Sequence, residues 1–254
     1  MHLLPLPALE DNYIWLLHDG HDALVVDPGQ ADVVEQALER HQLTLRAILL
    51  THHHADHTGG VAALQARHAV PVHAPEDARI AFATQHVGDG SSLALATPAV
   101  EFQVLAVPGH TLSHIAWHGP GLLFAGDTLF SLGCGRLFEG TPAQMLASLD
   151  RLAALPDATL VCAAHEYTAA NGRFAAGIEP GNAALARRLA EVTALRQVGQ
   201  PTLPVTLGTE RTTNPFLRVD AAEIVAWGTR HGIAATDRVT RFAALRAAKD
   251  GFRG

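Results

Sequence analysis

Four histidines and one aspartate fall between positions 52 and 57, in the stretch Thr51-His-His-His-Ala-Asp-His-Thr-Gly-Gly60. Imidazole and carboxylate are the ligand types that borderline divalent metals such as zinc accept, so this spacing points to a metal site. A histidine-rich loop with no ligand is the bland alternative. It explains the run poorly, because packing gives no reason to crowd titratable rings behind a core strand. In an extended loop alternate side chains point the same way. His52 and His54 can therefore converge on one ion while His53 points away. Asp56 and His57, at the turn into the next helix, can face a second ion. Glycines 59 and 60 let the backbone pass close by without Cβ obstruction.

Three further candidates share one context, the end of an apolar strand: His110 after Val104-Leu-Ala-Val107, Asp127 after Leu122-Leu-Phe124, and His165 after Leu160-Val-Cys162. Strand ends on one edge of a sheet are where α/β folds assemble sites. Each residue alone could simply cap a loop; the recurrence argues for a shared purpose. Seven ligands are too many for one tetrahedral zinc and suit two ions with one carboxylate shared between them. Asp27, in Asp27-Pro-Gly29, reads equally well as a turn former and as a group behind the ligands. His73, His86 and His118 read as surface or packing residues.

The elements that must position these residues follow from periodicity. Residues 2–6, 12–17 and 22–27 read as short strands, and Val33, Val34, Ala37, Leu38 and His41 lie on one face of a helix over 31–42. Then come a strand at 45–50, the histidine loop, a helix over about 59–69, and strands near 71–74 and 100–107. A hairpin joins 114–118 to 121–126 across Gly119-Pro-Gly121. Thr141-Pro-Ala-Gln144 is a capping box with proline at the first helical position, and a strand at 158–163 follows. This mixture predicts an α/β layered domain. Beyond about residue 166 the strand signal fades, leaving helices near 182–198, after the cap Asp220-Ala-Ala-Glu223, and at 238–250. The expected division is 1–168 and 169–254, the second part a small all-α domain.

Composition narrows the partners. Of 254 residues 48% are hydrophobic and 17% charged, ordinary values for a globular protein. The start, Met1-His-Leu-Leu-Pro-Leu-Pro, has no basic region before a long apolar run, so no signal peptide is expected. No stretch approaches the roughly 20 apolar residues of a membrane span. Two cysteines do not suggest a disulfide framework, and a cytoplasmic protein is expected. The net charge of −7 argues against nucleic acid but hides an asymmetry. Residues 1–165 carry 6 basic and 17 acidic side chains, whereas 166–254 carry 12 and 8, and Lys249 is the one lysine among 18 cations.

His52-x-His54-x-Asp56-His57 with His110, Asp127 and His165 resembles the metallo-β-lactamase superfamily, whose fold is an αββα sandwich. Further stretches look like the hydroxyacylglutathione hydrolase (glyoxalase II) family: Asp11-Asn-Tyr-Ile-Trp15, Gly133-Cys-Gly-Arg-Leu-Phe-Glu-Gly-Thr141, His165-Glu-Tyr167, Asn214-Pro-Phe-Leu-Arg218 and Arg246-x-x-Lys249-Asp250. That resemblance covers nearly the whole chain. It implies that His52, His54 and His110 hold a first metal, that Asp56, His57 and His165 hold a second, and that Asp127 bridges. His114 fits the family pattern without being a ligand. The ions implied are two divalent metals, zinc first, with iron or manganese also compatible. Asp56 and Asp127 are implied as the catalytic carboxylates, beside a hydroxide that bridges the metals and attacks the substrate.

The implied reaction is hydrolysis of the thioester S-D-lactoylglutathione, and of other S-2-hydroxyacylglutathiones, to glutathione and D-lactate or the matching 2-hydroxy acid. It is the second step of methylglyoxal detoxification. Arg136, Tyr167, Arg246 and Lys249 are the implied glutathione contacts. Arg246 and Lys249 lie three apart on a predicted helix and share a face; a solvated helix face is the alternative reading of that pair. Some relatives carry tyrosine where this chain has Phe138, so one hydroxyl contact is missing. The partner expected is this small molecule alone, with no nucleic acid, no membrane and a monomeric protein. Three other readings stand beside it. A persulfide dioxygenase would use a single iron and would not need Asp56, His57 and His165 in full. Lactonases and β-lactamases share the ions without the basic helical tail. A metal serving as a structural staple would have closed coordination. An RNA-processing relative is disfavoured by the acidic body.

Overall fold

A computed structural model of the chain describes residues 1–234 and 236–253. The chain divides into two compact units, each assembled from separate stretches: 1–106, 113–126 and 162–165 in the first, 107–112, 127–161 and 166–254 in the second.

The first unit holds β1 (His2–Ala8), β2 (Asn12–His18), β3 (Asp22–Val26), α1 (Ala31–His41), β4 (Thr44–Leu49), α2 (Ala55–Thr58), α3 (Val61–His68), β5 (Val72–Pro75) and β6 (Gln85–Val87). These six strands form one sheet in sequence order. The first three are antiparallel, and β3 to β6 run parallel. The parallel pairs β3–β4 and β4–β5 require crossovers, which α1 and α3 supply. Strand β2 is buried along its whole length, as an apolar run covered on both faces must be. Its residues Ile14 and Leu16 join Ala23, Val25 and Ile48 in a core with Val34, Ala37 and Leu38 of α1 and Val61 and Leu64 of α3. Strands β7 (Ser92–Ala96), β8 (Ala99–Ala106), β9 (Ile115–Gly119) and β10 (Leu122–Gly126) pair antiparallel in sequence order, the last two as the expected hairpin. The indole of Trp117 on β9 donates to the Leu50 carbonyl at 3.0 Å, and the Ile115 amide donates to the Thr51 carbonyl at 3.0 Å, so the start of the histidine loop is tied to β9.

One expectation changes here. The helix predicted over 59–69 is α3, and a further short helix, α2, precedes it and begins inside the histidine loop. The amides of His57 and Thr58 both bond the His54 carbonyl, at 3.0 and 3.1 Å, closing a turn before the glycines. The chain then passes against Pro28, whose carbonyl receives the Gly60 amide at 2.9 Å. A Cβ at Gly60 would sit 2.7 Å from that same oxygen, so glycine permits the approach.

The second unit contains β11 (Leu129–Phe130), β12 (Gly133–Cys134), α4 (Pro142–Ala153), the start of β13 (Leu160–Ala163), α5 (Thr168–Ile178), α6 (Ala183–Gln197), β14 (Val205–Thr206), α7 (Leu207–Thr213), α8 (Ala222–Arg230) and α9 (Arg238–Gly251). Strands β11 and β12 form a tight hairpin, and Leu160 and Val161 pair antiparallel with Thr206 and Val205. Thr141 and Gln144 make both bonds of the capping box at α4. Helix α5 was not expected: Thr-Ala-Ala-Asn-Gly-Arg-Phe-Ala-Ala-Gly-Ile has too few large apolar residues to show a stripe. Its small residues serve packing instead, and a Cβ at Gly172 would overlap the Leu189 side chain of α6. Asp220 does not cap α8, which begins after Ala221 without a side-chain cap. Arg238 and Arg241 claim its carboxylate, at 2.6 and 2.8 Å.

Candidate metal centre and substrate cleft

Within the first unit Asp56, His57 and His165 each offer a ligand atom, and these atoms lie within 4.8 Å of one another. Asp56 and His57 come from α2, and His165 follows β13. Strand β2 fixes His165 through a bridge between Asn12 and His165 and through the Tyr13 amide, which donates to the Ala164 carbonyl at 2.7 Å. The Asp56 carboxylate lies 3.4 Å from Nε2 of both His57 and His165, and the Asn12 amide donates to it at 3.1 Å. Burial alone would raise its pKa, but the hydrogen bonds from His165, His57 and Asn12 prevail and hold it well below the usual carboxylate range.

The opposite nitrogens of these histidines are pinned. Nδ1 of His57 donates to Asp27 Oδ2 at 3.1 Å, and Nδ1 of His165 donates to Asp11 Oδ1 at 2.8 Å. A carboxylate behind the ring keeps a proton on Nδ1, so the Nε2 proton facing Asp56 is the one a metal would displace to take the lone pair there. Asp27 also accepts from the Thr51 amide and hydroxyl, at 2.8 and 2.7 Å, from a left-handed backbone position at φ 53°. It therefore holds a candidate donor, His57, as well as shaping a turn. Sequence reasoning gave Asp11 no role, because nothing local links it to a histidine far along the chain.

His52 and His54 also meet: Nε2 of one lies 3.0 Å from Nδ1 of the other, and Nδ1 of His52 faces the Thr51 hydroxyl at 3.0 Å. His53 turns away as expected, toward Asp77 at 3.6 Å. His114 is buried and stacks on the His52 ring, centroids 4.6 Å apart, so it supports a ligand candidate without joining the set.

The second unit brings His110 and Asp127 together, with Nε2 3.4 Å from the carboxylate. Nδ1 of His110 donates to the Arg136 carbonyl at 2.9 Å, the same pinning by a different acceptor. A Cβ at Gly135 would overlap the Asp127 carbonyl oxygen, which explains the glycine beside Arg136. All four predicted substrate residues, Arg136, Tyr167, Arg246 and Lys249, line one cleft of about 470 Å³ together with His110 and Asp127.

Inside that cleft Arg246 is buried. Its Nη1 donates to the Cys134 carbonyl at 2.6 Å and its Nη2 to Asp250 at 3.0 Å. Lys249 places its ammonium 5.8 Å from the ring centre of Phe174 and 5.5 Å from that of Phe252. Burial lowers its pKa, and the neighbouring Arg246, Arg173 and Arg136 lower it further. Tyr167 meets Phe130 edge-on at 5.2 Å, and Phe138, 64% exposed, sets its ring 5.1 Å from His110. Phe174 and Phe252 escaped sequence reasoning, since an apolar residue on a helix reads first as core.

Residues 9–165 match the metallo-β-lactamase superfamily, and the histidine–aspartate donors lie within that stretch. The fold is therefore α/β, the αββα sandwich of that superfamily, followed by a helical tail. Among solved structures, the B3 metallo-β-lactamase BLEG-1 is 26% identical with a TM-score of 0.63, over 85% of this chain and 99% of that one. The protein TTHA1623 in a di-iron-bound form is 28% identical with a TM-score of 0.59, over 85% and 100%. The tail narrows the class. Residues 166–252 match the hydroxyacylglutathione hydrolase C-terminus, and the hydroxyacylglutathione hydrolase of Cupriavidus taiwanensis is 54% identical over 98% of both chains. The chain belongs to the hydroxyacylglutathione hydrolase family.

Proposed function

We propose that the protein is an enzyme that hydrolyses S-D-lactoylglutathione and other S-2-hydroxyacylglutathiones to glutathione and the 2-hydroxy acid, the second step of methylglyoxal detoxification. The observation that carries this reading is the shared lining of one cleft. His110 and Asp127, donors suited to a metal, occur there with Arg136, Arg246 and Lys249, cations suited to a peptide bearing two carboxylates. Membership of the family supports it independently.

In this proposal His52, His54 and His110 would hold a first ion and Asp56, His57 and His165 a second, with Asp127 as the carboxylate that would serve both. The donor chemistry fits. His57, His165 and His110 are each pinned at Nδ1 by an oxygen acceptor, so Nε2 is the available donor, and Asp56 is held as the anion. Two divalent ions held there would lower the pKa of water at the site and offset charge developing on the thioester oxygen. Zinc is the first candidate, and iron and manganese suit the same ligands. The chain's own task is to orient the substrate. Lys249 and Arg246 take the glycine carboxylate, while Arg136 and Tyr167 take the rest of the glutathione backbone. The leaving thiolate has a parent pKa of about 8.5, so it departs without a protein general acid.

The functional division proposed is 1–168 for the metal domain and 169–254 for the glutathione-binding domain, supported by the meeting of the two family matches at 165 and 166. A cytoplasmic monomer without nucleic-acid or membrane partners completes the proposal. No helix among the described residues is long and apolar enough to cross a membrane. The test is loss of thioester absorbance with S-D-lactoylglutathione, alongside metal analysis of the same sample. One iron per chain with oxygen uptake, and no thioester hydrolysis, would sink the reading.

A further inference from the structure

The hairpin of β11 and β12 is anchored by more buried polar contacts than a two-residue turn requires. Its turn is Ser131-Leu132, with Leu132 at φ 58°, a left-handed conformation that is costly for a bulky side chain. Three side chains from outside the hairpin hold that turn. Glu210 of α7 is fully buried. Its Oε1 accepts from the Ser131 hydroxyl at 2.7 Å, and its Oε2 accepts from the Leu132 amide at 2.8 Å and from the Asn214 side-chain amide at 3.0 Å. Asn214, which ends α7, also donates to the carbonyls of Phe130 and Gly133, at 3.1 and 2.9 Å. Asn171 of α5 donates to the Ser131 carbonyl at 3.1 Å.

Burial pushes the pKa of Glu210 up, while the bonds from Ser131, Leu132 and Asn214 pull it back. An acid in an apolar interior is a poor way to gain stability, since apolar residues of similar volume do as well. It is a good way to fix one backbone geometry. The fixed hairpin is a wall of the cleft: Phe130 and Cys134 line it, and the Cys134 carbonyl receives Arg246. Neither Glu210 nor Asn214 lines the cleft itself.

We propose that Glu210 and Asn214 are positioning residues for substrate binding: they hold the Leu129–Cys134 hairpin, and through the Cys134 carbonyl the Arg246 guanidinium, in the geometry that receives glutathione. The inference rests on the function proposed above. It predicts that Glu210→Gln, which turns an amide donor toward existing donors, raises KM for S-D-lactoylglutathione about five- to tenfold while kcat stays within about twofold. Ser131→Ala, which removes a single bond, should fall between the variant and the wild type.

A second readout needs no substrate. Cys134 and Cys162 are both buried thiols. In the folded wild type both should resist iodoacetamide. In Glu210→Gln the Cys134 peptide should alkylate several-fold faster by mass spectrometry, with Cys162 still protected. Wild-type KM and wild-type Cys134 protection in Glu210→Gln would overturn the proposal. So would equal labelling of both cysteines with kcat and stability falling together, the mark of a purely structural role. If the wild type did not hydrolyse the thioester, the proposed function would fail and the role in substrate binding with it. Labelling would still show whether Glu210 holds the hairpin.

Discussion

At the scale of single residues, the candidate centre depends as much on what stands behind each histidine as on the histidines. Asp27 reaches both His57 and Thr51, so removing its charge should loosen the Nδ1 proton and the ring orientation together. Asp27→Asn should weaken retention of the second ion about tenfold or more against a competing chelator, with the first ion retained. Unchanged chelator resistance would count against that role. Lys249 gives a prediction of a different kind. Lys249→Ala should raise KM several-fold with metal content unchanged, and an unchanged KM would sink its role as anchor. Burial and three arginines place its pKa below that of a free lysine, so its charge disappears at a lower pH as alkali is added. KM should therefore begin to rise on the alkaline side earlier than an ordinary lysine would allow. Lys249→Arg, whose charge persists, should flatten that rise. The candidate donors of the 52–57 loop were legible in the sequence because their types and spacing are local. Asp11 was not, because it lies 154 residues from the ring it holds, and Asp27, 30 residues from His57, was readable only as one of two equal alternatives.

At the scale of elements, legibility followed local chemistry. The capping box of α4 was readable because both of its bonds join residues three apart, Thr141 and Gln144. Thr141→Ala should cost about 1 kcal/mol of stability in urea denaturation, the usual value of an N-cap, with KM unchanged. A loss below a few tenths would show that the cap is redundant. Helix α5 was invisible for the opposite reason, since Gly172 and Ala175 serve the close approach of α6 and its small residues leave no large apolar stripe. Asp220 misled because an aspartate before a helical pattern is a cap in isolation and an ion-pair partner in a fold that brings Arg238 and Arg241 to it. The histidine loop was misjudged by one turn. The bonds to the His54 carbonyl start α2 early, and they put Asp56 and His57 inside a helical turn rather than at the approach to one.

At the scale of the whole molecule, each compact unit has a core that owes nothing to a metal. The first packs Ile14, Leu16, Val25 and Ile48 against α1 and α3. The second stacks Phe174 on Phe216 at 6.1 Å and sets Phe216 edge-on to Phe242 at 5.9 Å. None of these core residues is among the candidate metal donors. The chain is also long enough to bury a large share of its surface, unlike the small domains that need a metal to fold. Chelation should then abolish thioester hydrolysis while far-UV circular dichroism at 25 °C stays native. The melting temperature should fall only by the linkage owed to a ligand that binds the folded state, and re-addition of zinc should restore turnover. A cooperative loss of helical signal on chelation, without heating, would contradict this and favour the metal as a structural staple. The staple reading needs closed coordination with no room for a reactant. His110 and Asp127 instead face a cleft whose other residues include Arg136, Arg246 and Lys249. Donors that open onto a cleft lined with cations suit turnover of an anionic substrate, and activity should therefore be lost before the fold.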